Sequence, residues 1–228
     1  MTDHLDKLAA QREIGERIGV FAEAMHAAET PALRDLESQA LEEGVPIIRP
    51  HTRGLIQCIL EMKVPSAILE VGTAVGYSAL VMHTYAPKPC RITTIETDPE
   101  RAAQARDNFA RFGADGITLM EGDAAEILQS LEGPFDFIFL DAAKGQYIHW
   151  LPDVIRLMHP GSLLVSDNVL QNGDLVQSHF LVERRKRTIY KRMREYLFAL
   201  THDPLLETVI LPSGDGTALS VKLEETDE

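Results

Sequence analysis

The chain has 228 residues and a formal net charge of −13, from 22 Lys and Arg against 35 Asp and Glu. That length suffices for one large α/β domain with a buried core, and the acidic balance argues against a protein that coats nucleic acid. No apolar run approaches the ~18 residues of a transmembrane helix, and the charged N-terminus MTDHLDKLAAQREIGERIG lacks the apolar stretch of a signal peptide, so a cytoplasmic protein off the membrane is expected.

The first ~45 residues read as two helices. In the second, TPALRDLESQALEEG, Thr30 is the expected N-cap, Pro31 the first helical residue and Gly44 the stop. VPIIRP is an extended link, and a further helix from about His51 to Met62 ends before Pro65. Short apolar runs then alternate with helical patterns: AILEVG, RITTIET, GITLMEG, FDFIFLD and SLLVSDN. Such runs suit a parallel sheet covered on both faces. The tail PLLETVILPSGDGTALSVKL differs, giving two runs joined by PSGDG that read as an antiparallel pair at the sheet edge. The expected fold is a doubly wound α/β sheet, mainly parallel and seven-stranded, with a terminal hairpin and extra N-terminal helices. Its ligands bind beyond the carboxyl ends of the strands. Cys58 and Cys90 have no Cys or His partner at metal spacing and read as ordinary thiols.

Those strand ends carry the polar residues. The first run supplies Glu70, Gly72, Gly76, Tyr77 and Ser78; the second Glu96 and Asp98; the third Asp123 and Ala124; the fourth Asp141 and Lys144; the fifth Asp167 and Asn168. Taken singly, the glycines could be turn residues, and Glu96 or Asp123 could cap helices. Asp141 and Asp167 directly follow very apolar runs, where a carboxylate is costly unless paired or bound to a metal. With Asn168 they make an oxygen-rich cluster. Glu96 lies 24 residues beyond Gly72, near the spacing of an acid that accepts from both ribose hydroxyls. The glycine pattern E-x-G-x-x-x-G departs from the dinucleotide fingerprint, so no pyrophosphate needs cradling. An acidic loop with Glu70 and Asp98 suits a cationic nucleoside, and S-adenosylmethionine is the expected cofactor.

LEVGTAVGYSAL, IETDPE, GDAAEIL, FDFIFLDAAKGQY and LLVSDNVL together resemble, in the same order, the motifs of the cation-dependent O-methyltransferases of the catechol and caffeoyl-CoA type, over about Val45 to Leu223. VPIIRP and ERRKRTIYKRMREYLFALTHDP are most similar to the bacterial branch that methylates 5-hydroxyuridine in the tRNA anticodon. The resemblance implies Asp141, Asp167 and Asn168 as metal ligands, suited as hard oxygen donors to Mg²⁺ or another divalent cation. It implies Glu96 at the ribose, Ser78 and Gly72 (with the neighbouring Glu70) at the methionine end, Asp123 and Ala124 at the adenine, and a backbone contact from Ile48. Asp141 borders both metal and cofactor, and Lys144 stands as general base, against a plainer part as salt-bridge partner of Asp141 or Asp167. Residues 1–44 would then be helices that cover the core or join a homodimer, and 45–228 the methyltransferase domain.

Catechols, caffeoyl esters and 5-hydroxyuracil all offer neighbouring oxygens, and the site motifs do not separate them. RRKRTIYKRMR, Arg184–Arg194, holds seven of the 22 cations. On a helix, Arg184, Arg187, Lys191 and Arg194 share one stripe, with Ile189, Met193 and Leu197 roughly opposite. A basic stripe on an acidic chain favours a phosphate-bearing ligand over a small phenol, and the resemblance implies that this is the tRNA anticodon stem-loop; a solvated helix face or contacts to coenzyme A phosphates would use the same residues. Arg49 and His51 could also face the substrate.

Overall fold

The computed structural model describes residues 17–176, 178, 182–212 and 214–225. Residues 17–24 are helical (α1). Then come α2 (Pro31–Glu42), α3 (Pro50–Lys63), β1 (Ala67–Val71), α4 (Tyr77–Tyr85), β2 (Arg91–Glu96), α5 (Pro99–Phe112), β3 (Ile117–Glu121), α6 (Ala124–Ser130), β4 (Phe135–Leu140), α7 (Tyr147–Arg156), β5 (Met158–Ser166), α8 (Arg187–His202), β6 (Leu206–Leu211) and β7 (Thr217–Lys222). The helix signals act as expected. The Thr30 hydroxyl accepts from Leu33 N with Pro31 in the first turn, and α3 stops at Val64, in a left-handed conformation before Pro65.

The seven strands form one sheet in the order β3-β2-β1-β4-β5-β7-β6. β1 to β5 are parallel, and β7 runs antiparallel to both β5 and β6. Side chains alternate between faces, which divides β4. Phe137 and Phe139 join a cluster with Leu33, Ile56, Tyr77 and Leu80 on the α2–α5 side. Ile138 and Leu140 join Leu128, Trp150, Met193 and Tyr196 on the α6–α8 side. Leu33 and Leu36 of α2 are buried in that first cluster, so α2 packs into the same core as the residues beyond Val45.

The register brings the polar strand ends to one level. Val71 pairs with Ile95 and with Leu140, and Leu140 pairs with Ser166. The next residues, Gly72, Glu96, Asp141 and Asp167, therefore emerge together at the carboxyl edge. Among the described residues no helix is long and apolar enough to cross a membrane.

Candidate active site

A cavity of about 1070 Å³ opens at that edge. Of the residues expected there, Ile48, Gly72, Ser78, Glu96, Asp123, Ala124, Asp141, Lys144 and Asn168 line it. Glu70 and Asp167 do not; each stands one layer behind.

The loop from Gly72 to Gly76 is shaped by close approach. A Cβ on Gly72 (φ +107) would lie 2.2 Å from the Asp141 carbonyl oxygen, and one on Gly76 (φ +86) 2.5 Å from the Phe109 ring. Both glycines thus serve contact between elements as well as positive φ. Ala74, at φ 46, is also left-handed. Glu96 steadies this turn: one oxygen accepts from Ala74 N at 2.8 Å, the other from Thr97 N and Asp98 N at 3.0 and 2.9 Å. It is buried yet lines the cavity, and a carboxylate has about four acceptor positions, which leaves room for a ligand hydroxyl.

The expected acidic lining of the loop is corrected. Glu70 is fully buried, with one oxygen on the Ser78 hydroxyl and the other on Thr94. Burial pushes its carboxyl up to about 7, against those two hydrogen bonds and aided by the charges of Asp141 and Glu96. Asp98 caps α5 by accepting from Glu100 N and Arg101 N. Asp123 likewise caps α6, through Ala125 N, while lining the cavity. Beside it, Arg101 also lines the cavity, and its Nη1 is the one buried side-chain nitrogen or oxygen among the described residues that lacks a hydrogen-bond partner. An orphaned donor here fits a ligand rich in acceptors, as a purine nucleoside is.

At the other end, Lys144 Nζ lies 2.6 Å from Asp141 Oδ1 and 3.1 Å from the Tyr147 hydroxyl. Burial alone would lower the lysine pKa, but Tyr147 and Asp141 outweigh it and hold Lys144 above its usual range. Asp167 is only 2% exposed; its oxygens accept from Thr52 Oγ1, Thr217 Oγ1 and Asn168 N. Burial, then the Asp141 charge, raises its pKa. Asn168 has φ 54, a left-handed conformation that Asn tolerates better than most residues. Among the described residues no group of three or more His, Cys, Asp or Glu is placed to hold a metal. Asp141, whose charge acts on Asp167, Asp167 and the cavity-lining Asn168 are nonetheless oxygen donors of the kind that fits one hard divalent cation, which would offset the like charges.

The basic run departs from its expected geometry. Arg184 lies in a 3-10 turn before α8, which starts at Arg187. The buried face of α8 is Tyr190, Met193, Tyr196 and Leu200. Ile189 is 39% exposed because it faces the cavity mouth and not the core, and Leu197 is only partly buried. Arg187 donates to Val182 O and Arg194 to Leu175 O, and Lys191 sits 3.6 Å from Glu195. Lys186, absent from the expected stripe, lines the cavity. So does Arg49, whose guanidinium is 3.0 Å from Asp215. His51 lies 3.4 Å from Glu23. Sequence reasoning also missed Trp150 and Gln171, for which only the packing of separate segments puts a side chain at the cavity.

The sequence model of the O-methyltransferase family matches residues 24–223. A catechol O-methyltransferase of Niastella koreensis is 33% identical over 174 residues, 73% of this chain and 79% of that protein. A caffeoyl-CoA O-methyltransferase of Eucalyptus gunnii is 32% identical over 163 residues, 68% of this chain and 66% of that protein. Among solved structures, the SAH-bound methyltransferase PaMTH1 of Podospora anserina superposes with a TM-score of 0.82 at 25% identity, covering 93% of this chain and 96% of that one.

Proposed function

The chain belongs to the O-methyltransferase family, and on that premise we propose that it moves a methyl group from S-adenosylmethionine to one of two neighbouring substrate oxygens, with a divalent cation. The observation that carries this reading is one cavity with Glu96 and the orphaned Arg101 at one end and Asp141, Lys144 and Asn168 at the other. The cofactor would supply an electrophilic sulfonium methyl group, and a cation held by Asp141, Asp167 and Asn168 would supply Lewis acidity. Glu96 accepts from the ribose hydroxyls, and Ser78 and Gly72 border the methionine end. Apolar walls such as Ile48 and Trp150 lower the polarity around a step that neutralises charge, which favours it. Lys144 reaches the substrate hydroxyl from the Asp141 side. As it stands it is an ammonium donor, so to take a proton it must first give up its own, which its contacts to Asp141 and Tyr147 oppose.

The proposed substrate is 5-hydroxyuridine in the tRNA anticodon, giving 5-methoxyuridine. Support comes from Arg184, Arg185, Lys186 and Arg187 at the N-terminus of α8, where the macrodipole disfavours positive charge unless an anion is near, and from Lys186 at the cavity. A catechol or caffeoyl-CoA type substrate is the second reading, favoured by the curated relatives of those names. A homodimer belongs to the same proposal, supported by Ile18, Val20, Phe21 and Met25, all exposed on or just after α1. Mass spectrometry of tRNA nucleosides from cells with and without the protein tests the substrate: loss of 5-methoxyuridine with accumulation of 5-hydroxyuridine is expected, and an unchanged nucleoside profile rejects it.

A further inference from the structure

Under the first turn of α4 lies a buried ion cluster that the chemistry above does not use. Arg53 of α3 is 6% exposed, Glu29 5% and Tyr77 1%. Arg53 Nε sits 2.6 Å from Glu29 Oε1. Its Nη1 donates to the Tyr77 hydroxyl at 3.1 Å and to Glu37 at 3.3 Å. Glu29 also accepts from Gln57 Nε2 and the Tyr85 hydroxyl, at 3.2 and 3.0 Å. Four segments thus meet on three charges, Arg53, Glu29 and Glu37: the stretch before α2, α2 itself, α3 and α4. The stretch before α2 is seated tightly, because a Cβ on Gly54 would lie 2.4 Å from the His26 ring.

A buried ion pair is weak evidence of stability, since apolar residues of the same volume often do as well. Fixing a geometry is a better reason to keep one. Tyr77 follows Gly76 directly, and both Tyr77 and Ser78 line the cavity. The loop before it holds three left-handed residues, Gly72, Ala74 and Gly76, so it needs support at both ends. Glu96 grips Ala74 N from the strand side; Arg53 grips Tyr77 from the helix side.

We propose that Arg53 is a positioning residue for the cofactor loop: anchored by Glu29, it fixes Tyr77 and the first turn of α4, so that seating of the stretch before α2 sets cofactor affinity. The proposal rests on the S-adenosylmethionine reading. The test is calorimetric titration of S-adenosylhomocysteine into the full-length protein, with turnover at saturating cofactor and thermal melting alongside. Glu29→Gln and Arg53→Lys, neither of which lines the cavity, are each expected to raise Kd about tenfold by loss of preorganisation, with kcat within about threefold of the parent. The Glu29→Gln/Arg53→Met pair, which leaves only the part-exposed Glu37 charged, is expected to recover melting temperature but not affinity. A Kd within about twofold of the parent in both single variants overturns the proposal, as does a double variant that recovers affinity together with stability. If the double variant does not fold, the two single variants decide alone. A parent protein that fails to bind S-adenosylhomocysteine overturns the cofactor reading itself, a separate outcome.

Discussion

Replacing Glu96 by Gln keeps the shape of the side chain and removes its charge. In the parent, Oε1 accepts from Thr97 N and Asp98 N, and Oε2 from Ala74 N. Gln has one acceptor oxygen. If that oxygen stays with Thr97 and Asp98, the new NH₂ points at Ala74 N–H, donor against donor. Orphaning a fully buried N–H costs about 1–3 kcal/mol, so for the part-buried Ala74 N about 1 kcal/mol is expected; Ala74 is already in a left-handed conformation, so the turn between Gly72 and Gly76 loosens before any ligand arrives. The ribose hydroxyls lose a charged acceptor as well. Hydrogen bonds to charged groups contribute about 1.5–3 kcal/mol and neutral ones about 0.5–1.5, so two such exchanges weaken binding by about 2 kcal/mol, or roughly 30-fold in Kd. Titration calorimetry of S-adenosylhomocysteine into parent and variant measures that ratio, and melting of the ligand-free proteins isolates the loop effect. A Kd within about twofold of the parent would show that Glu96 does not touch the ribose. A melting temperature that falls while Kd stays put would assign it to the turn alone.

Asp167→Asn leaves side-chain volume nearly unchanged but halves the charge of the acid pair; turnover is expected to fall by at least about 100-fold with cofactor Kd within about threefold, and EDTA is expected to silence the parent in the same way. Full turnover in excess EDTA would remove the cation from the reading. At the opposite edge of the sheet, Asp136 accepts from Ser66 N, Ser66 Oγ, Ala67 N and His159 Nε2. Burial would raise its pKa, but those donors prevail and hold it near about 2, below its ordinary 3.8. A depressed carboxylate stabilises the fold above the ordinary value and loses that contribution as pH falls from about 4 to about 2. The melting-temperature gap between parent and Asp136→Asn should therefore close across that window; a gap that stays constant from pH 5 to pH 2 contradicts it. Arg184→Gln/Lys191→Gln should make affinity for an anticodon stem-loop less salt-dependent by one to two units of log–log slope, at about 0.7–0.9 per phosphate contact. Identical salt dependence in the double variant would leave these cations as a solvated surface.

The order of elements and the strand-end residues were legible in the sequence because both are local. Apolar runs of strand length, Thr30 before Pro31, and Asp141 and Asp167 directly after buried runs each follow from a few neighbouring residues. What separate segments do to one another was not legible. Glu70 and Glu96 both sit on apolar runs beside the same loop. Tertiary packing alone turns Glu70 inward onto Ser78 and Thr94 and leaves Glu96 facing the cavity. Ile189 reads as a core residue of an amphipathic helix, yet the angle of α8 over the sheet buries Tyr190 and Tyr196 and presents Ile189 to the cavity. The Arg53–Glu29 pair spans 24 residues with no periodic signal, and Thr52 and Thr217 reach Asp167 from 115 residues before it and 50 after it. Sequence patterns report the faces that elements bury; which charged atom meets which depends on how those faces are stacked, a long-range property that no local pattern encodes.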